Sequence, residues 1–222
     1  MPRGNNLEKD QVIILIPSHN EIDTLKKICQ DIKKLRLKVI VIDDGSTDGT
    51  SYWLKKNQFN YIKNKKKIGY EKSLILGINY IIKKIKAKYL ITFDADGEHR
   101  TKDLIKIINK LKKKDIDMIV GNRNKYNRLS EYILSFLFFV KFGIKDPLSG
   151  FKVYSLQKLK LLKNKIKNNS YLIDIILHFK KNKFVLKNIP IKVNKRLNIP
   201  RAGSGLLINL KILSLARFIL FN

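Results

Sequence analysis

Apolar runs and helical stripes alternate along the first two thirds of the chain. Val12–Ile16 is an unbroken apolar run closed by Pro17, the pattern of a strand buried on both faces. Leu25, Ile28, Ile32 and Leu35 then recur at helical spacing. Lys38–Ile42 reads as a second strand, and the turn-rich segment Asp43–Thr50 ends it. A helix near Thr50–Lys56 and a short strand near Phe59–Ile62 follow. Leu74, Ile75, Ile78, Ile81, Ile82 and Ile85 mark an amphipathic helix, and Tyr89–Phe93 a further strand. Leu104, Ile105, Ile107, Ile108 and Leu111 mark another helix, and Ile116–Val120 another strand. Strands spaced by single helices predict an α/β fold with a mixed, mainly parallel sheet covered by helices.

The last third changes character. Leu129–Ile144 is strongly apolar, broken only by a few polar residues such as Ser135 and Lys141. Gly205–Phe221 repeats the theme, with Lys211 and Arg217 interleaved. Such stretches suit a membrane interface, a core helix or a contact between copies of the chain, so a homo-oligomer is one expectation. Neither reaches the roughly 20 apolar residues that span a bilayer. A boundary is therefore expected near residue 204, with the α/β domain over 1–204 and an interfacial helix over 205–222.

Composition adds an anionic partner. The chain has 222 residues, 47 Lys and Arg against 18 Asp and Glu, and a net charge of +29. That balance points to anionic membrane or a phosphorylated substrate, although lysine-rich composition alone explains part of it. No aromatic-interleaved basic motif marks a nucleic-acid module, so nucleic acid is not an expected partner. The first ten residues are polar, with no apolar leader segment, and Cys29 is the single cysteine. The expected location is the cytoplasmic face of the membrane, peripherally attached. Cys29 falls on the first helical stripe and reads as a small core residue.

The scarce acids cluster where strands end. Asp94-Ala95-Asp96 follows Tyr89–Phe93, and two carboxylates at i and i+2 in a turn can approach one hard cation. Asp94, Asp96 and Glu98 are therefore the candidate ligands of Mg²⁺ or Mn²⁺, which would neutralise a departing diphosphate. Asp44 is expected to meet a nucleoside, while Asp48 is expected to be mainly structural. Asn20 is placed to cap the first helix, and Glu21 to favour its start. Arg123 follows the strand Ile116–Val120 and can pair with a diphosphate. His99 and His178 belong to no Cys/His cluster and are read as structural. If the acceptor is a hydroxyl, a carboxylate base is needed, and Asp146 and Asp174 are the candidates.

Taken in order, Ile16-Pro17-Ser18-His19-Asn20-Glu21, Asp43-Asp44-Gly45-Ser46-Thr47-Asp48, Asp94-Ala95-Asp96-Gly97-Glu98-His99, Gly121-Asn122-Arg123 and Asp146-Pro147-Leu148-Ser149-Gly150-Phe151-Lys152 resemble glycosyltransferase family 2. The resemblance is strongest to the polyprenyl- or dolichyl-phosphate mannose and glucose synthase group, and it implies the GT-A fold. It also implies inverting transfer of a hexose from a GDP- or UDP-sugar to a polyprenyl phosphate, with a glycan or protein acceptor as the alternative. By position, Pro17, His19, Glu21, Ile42 and Asp44 would line the nucleoside pocket. Asp94, Ala95 and Asp96 would hold metal and diphosphate, and Arg123 would contact the donor. The segment Asp146–Lys152 would border the acceptor. The group's closing Arg-x-x-Gly-x-Ser-Lys element is matched loosely by Arg201, Gly203 and Ser204, without its lysine.

Overall fold

The computed structural model describes residues 8–113, 115–126, 128–162, 171–194, 209–210 and 212–215. Seven strands form one sheet among them: β1 (Val12–Ser18), β2 (Lys38–Asp43), β3 (Asn60–Lys63), β4 (Tyr89–Thr92), β5 (Met118–Arg123), β6 (Lys152–Ser155) and β7 (Leu186–Ile191). Their order is β3-β2-β1-β4-β6-β5-β7, and only β6 runs antiparallel to its neighbours. The helices are α1 (Ile22–Lys34), α2 (Thr50–Lys56), α3 (Tyr70–Lys84), α4 (Lys102–Lys113), α5 (Leu129–Phe142), α6 (Leu156–Leu162) and α7 (Tyr171–Lys181). This is the expected α/β GT-A architecture.

The strands alternate strictly between two cores. Ile14 and Ile16 of β1 face a cluster with Leu25, Ile28 and Ile32 of α1 and with Leu104, Ile107 and Ile108 of α4. Ile13 and Leu15 face the other, with Leu74, Ile78 and Ile81 of α3 and with Leu134 and Phe138 of α5. Burial on both faces explains why β1 reads as a continuous apolar run rather than an alternation. Each such side chain contributes about 1.5–3 kcal/mol of hydrophobic stabilisation.

Gly77 lets α3 lie directly on the sheet. A Cβ there would fall 2.5 Å from Leu15 Cδ1 and 3.0 Å from Ile42 Cγ1. Ile42 is fully buried beneath that helix. Its expected place in a nucleoside pocket is therefore corrected: it is core, one residue before the polar strand end.

Cys29 is buried on α1, as its stripe predicted, and burial pushes its thiol up to about 12. The antiparallel β6 was not predicted. All four of its residues, Lys-Val-Tyr-Ser, are buried, so no alternation of polar and apolar positions announces it. Its direction brings the loop before it, Asp146–Phe151, to the end of the sheet where β1, β2, β4 and β5 finish. Strand order reverses between β1 and β4, and such reversals open a crevice beyond the strands' carboxyl ends.

Candidate active site

A cavity of about 470 Å³ lies at that crevice, and its wall includes Pro17, His19, Glu21, Asp44, Asp94, Ala95, Asp96, Glu98 and Arg123. The segments that follow β1, β2, β4 and β5 thus converge, as expected. Its size is ordinary for a small-molecule site.

The β1 and β2 ends are sewn together by short polar bonds. Asn20 adopts a left-handed backbone (φ 52), and its side-chain oxygen accepts from Thr47 N at 2.7 Å. It therefore does not cap α1 as expected. Asp48 takes that role instead, accepting from Ile22 N at 3.0 Å and from the Thr50 hydroxyl at 2.6 Å. Burial alone would push the Asp48 carboxyl up, but these bonds outweigh it and hold the group below its usual value. His19 donates from Nδ1 to the Asp44 carbonyl at 2.8 Å, which fixes its ring at the cavity wall.

Asp44 braces the opposite wall. Its carboxylate accepts from Asn64 Nδ2 at 2.9 Å and from the Ile68 and Gly69 amides at 2.8 Å each. Burial opposes the charge, yet these donors keep the group ionised below the ordinary carboxylate range. The Ser73 side chain adds a further hydrogen bond to the same carboxylate, so Asp44 is held rigidly at the cavity wall.

Asp94 is clamped on both oxygens. Oδ1 accepts from the Tyr70 hydroxyl at 2.7 Å, and Oδ2 from His99 Nε2 at 3.0 Å. Burial pushes Asp94 up, while His99, Tyr70 and Arg123 together pull it down, with the net shift downward. His99 itself is wedged edge-on between Phe93 and Phe151. Read from the sequence as structural, it also orients a site carboxylate. Thr24 of α1 donates to the Ala95 carbonyl, and Glu98 N donates to Asp96 Oδ1 at 3.0 Å, so the whole Asp94–His99 turn is fixed. Gly150 sits against it: a Cβ there would overlap the Asp94 carboxylate.

Asp94, Asp96 and Glu98 all line the cavity and offer the hard oxygen donors that Mg²⁺ or Mn²⁺ takes. Among the described residues no group of three His, Cys, Asp or Glu side chains forms a ready-made cage. The donor set fits a cation held by one or two carboxylates and completed by phosphate and water oxygens.

The far wall is a network of four charged side chains. Arg123 donates to Asp146 through Nε at 2.8 Å and Nη2 at 3.1 Å, and to Glu131 at 3.2 Å. Arg128 donates to the other Glu131 oxygen at 3.0 Å. Burial would lower the Arg123 pKa, but Asp146 and Glu131 raise it overall. Asp146 is fully buried, and both its oxygens serve Arg123. Its expected role as a base is corrected: it positions Arg123 and lies outside the cavity wall. Asp174 lies on α7 and is also absent from the wall, so it too is withdrawn as a base; burial raises its pKa, with His178 pulling the other way. Arg201 lies outside the described residues.

Sequence reasoning missed Tyr70, Arg128 and Glu131, which line the cavity, and the burial of Lys152. Lys152 is fully buried, donates to the Ser149 carbonyl and is pushed down to about 7 by burial, with Asp146 and Asp94 opposing. Only the Ser149-Gly150-Phe151-Lys152 motif hinted at this layer.

Comparisons agree with the geometry. Residues 13–184 match the family Glycosyl transferase family 2. A protein of Methanocaldococcus jannaschii is 28% identical, covering 94% of this chain and 92% of its own. The UDP-N-acetylglucosamine–dolichyl-phosphate N-acetylglucosaminyltransferase of Methanococcus voltae is 25% identical, over 90% of this chain and 92% of that protein. The fold is shared with glucosyl-3-phosphoglycerate synthase of Mycobacterium tuberculosis, solved in complex with Mn²⁺ and UDP-glucose. That likeness has a TM-score of 0.73 at 16% identity, over 93% of this chain and 76% of the other.

Two predictions follow from the packing. Gly150→Ala should force Asp94 off Tyr70 and His99 and lower kcat/KM roughly 100-fold; steady-state kinetics unchanged from the parent would refute the clamp. Lys152, depressed when folded from 10.5 to about 7, binds fewer protons folded than unfolded between those values. Its contribution to stability therefore rises with pH across that window. Urea unfolding from pH 8 to 10 should show the parent gaining about 2–3 kcal/mol relative to Lys152→Met.

Proposed function

The chain belongs to glycosyl transferase family 2, and we propose that it moves a sugar from a UDP-sugar to a polyprenyl phosphate with inversion at the anomeric carbon. The observation that carries this reading is the meeting of Asp44, Asp94 and Asp96 with two arginines around one cavity at the β1–β4 crevice. Family membership supports nucleotide-sugar chemistry. A UDP donor and a polyprenyl-phosphate acceptor are supported by the activity named for the Methanococcus voltae relative.

The chain's own residues divide the work. Pro17, His19, Glu21 and Asp44 would hold the nucleoside, on the side where β1 and β2 end. One or two of the carboxylates Asp94, Asp96 and Glu98 would hold Mg²⁺ or Mn²⁺, which supplies charge neutralisation for the leaving diphosphate when bound. Arg123 and Arg128 set guanidinium groups, oriented by Asp146 and Glu131, into the opposite wall, where N–H donors not used by those acids would meet phosphate oxygens. Tyr70 and His99 keep Asp94 in register throughout.

A phosphate acceptor is already ionised at neutral pH and needs little help from a general base. Neither Asp146 nor Asp174 lines the cavity, so a hydroxyl acceptor would have to draw its base from carboxylates that do, such as Glu21, Asp96, Glu98 or Glu131.

The test is transfer itself. Radiolabelled UDP-N-acetylglucosamine and UDP-glucose, incubated with the protein, Mn²⁺ and a polyprenyl phosphate, should yield label in the organic phase. Label that stays in the aqueous phase with every donor, or that enters only a glycan, would overturn the lipid acceptor.

A further inference from the structure

Helix α5 turns an apolar face to solvent. Leu134, Ser135 and Phe138 are buried against the sheet. Leu129, Tyr132, Ile133, Phe136, Phe139 and Val140 are between 38% and 75% exposed. These six fall at i, i+3, i+4, i+7, i+10 and i+11, a single stripe along a 14-residue helix about 21 Å long. Scattered exposed leucines need no explanation, but a contiguous stripe of this size marks an interaction surface.

Its rim identifies the partner. Lys125, Lys141 and Lys145 are exposed beside it, and Lys145 Nζ stands 5.4 Å above the Phe139 ring. The sole acid between residues 124 and 145 is Glu131, which is buried and paired with Arg123 and Arg128. A second copy of this chain would bring the same lysines together with no carboxylate to answer them, in a molecule already carrying +29. An anionic bilayer answers both features, taking the aromatic and aliphatic side chains into its interfacial region and the lysines onto its headgroups. No described helix is long and apolar enough to cross a membrane, so the contact is one of lying on the surface.

We propose that the exposed face of α5 docks the protein on an anionic lipid surface. The helix starts at the cavity: Arg128 precedes its first residue and Glu131 lies in its first turn, and both line the cavity wall. Docking along α5 therefore brings the mouth of the sugar-transfer site to the bilayer, where a lipid-borne acceptor resides. The docking does not depend on which acceptor is used, but it gives the lipid reading its geometry.

Sedimentation of the full-length chain with vesicles tests this. The parent should bind vesicles of mixed phosphatidylglycerol and phosphatidylcholine more tightly than phosphatidylcholine alone. Phe136→Glu with Val140→Glu should weaken that binding by at least about tenfold, while thermal stabilisation by UDP with Mn²⁺ stays as in the parent. Lys141→Glu with Lys145→Glu should remove the preference for the anionic vesicles, and carries the test alone if the first variant fails to fold. Parent-like vesicle binding by the folded variants would overturn the proposal. So would a parent dimer that Phe136→Glu with Val140→Glu splits without changing vesicle binding. Loss of the UDP response in the parent would count against the donor reading and leave the docking result to be judged separately.

Discussion

A carboxylate closed into a protein cavity must have its charge answered, and the site is organised around that requirement at Asp94. Tyr70 and His99 each hold one of its oxygens, and Gly150 leaves it the space it occupies. Around it, Asp146 and Glu131 are matched by Arg123 and Arg128, with Lys152 buried below. Removing one member of such a set leaves its partner buried and uncompensated, a loss of about 3–5 kcal/mol. The polar wall is thus a unit in which orientation is fixed by mutual neutralisation rather than by any single contact. Preorganised charge of this kind requires no rearrangement when a charged ligand binds.

The sheet makes that unit possible. β1, β2, β4 and β5 deliver their polar ends to one side, and the reversal of order at β1–β4 leaves a gap there. The antiparallel β6, inserted between β4 and β5, brings a fifth segment of a second kind, a loop entering a strand rather than leaving one. That loop supplies Asp146, Gly150 and, at the strand's first residue, Lys152. α5 connects the same wall to the outside, with its first turn in the cavity and its length along the surface.

Much of this was legible in the residues because burial leaves a pattern. Continuous apolar runs gave β1, β2 and β4, and the acids beyond them, rare in a basic chain, gave Asp44, Asp94 and Asp96. The misses have physical causes. Tyr70 begins a helix whose apolar stripe first shows at Leu74, so its hydroxyl carries no periodic signal. Arg128 and Glu131 look like a surface pair until the fold places them beside Arg123. Lys152 stands in a buried strand, where lysine is the residue least expected. Asp146 is taken from the cavity by burial beneath Arg123, and Asp174 by its place on α7, and neither position shows in the sequence. Ile42 shows how little sequence position decides alone: it stands two residues before Asp44, which lines the cavity, yet its side chain packs into the core under Gly77.

If the cavity binds a nucleoside diphosphate through a cation held by the Asp94–Glu98 turn, cation and nucleotide must bind cooperatively. Isothermal titration of UDP into the protein, with and without Mn²⁺, tests it most directly. Mn²⁺ should tighten UDP binding by at least about tenfold, or 1.4 kcal/mol, in the parent chain and not in Asp96→Asn. Equal UDP affinity with and without the cation, or a cation effect that survives Asp96→Asn, would contradict it.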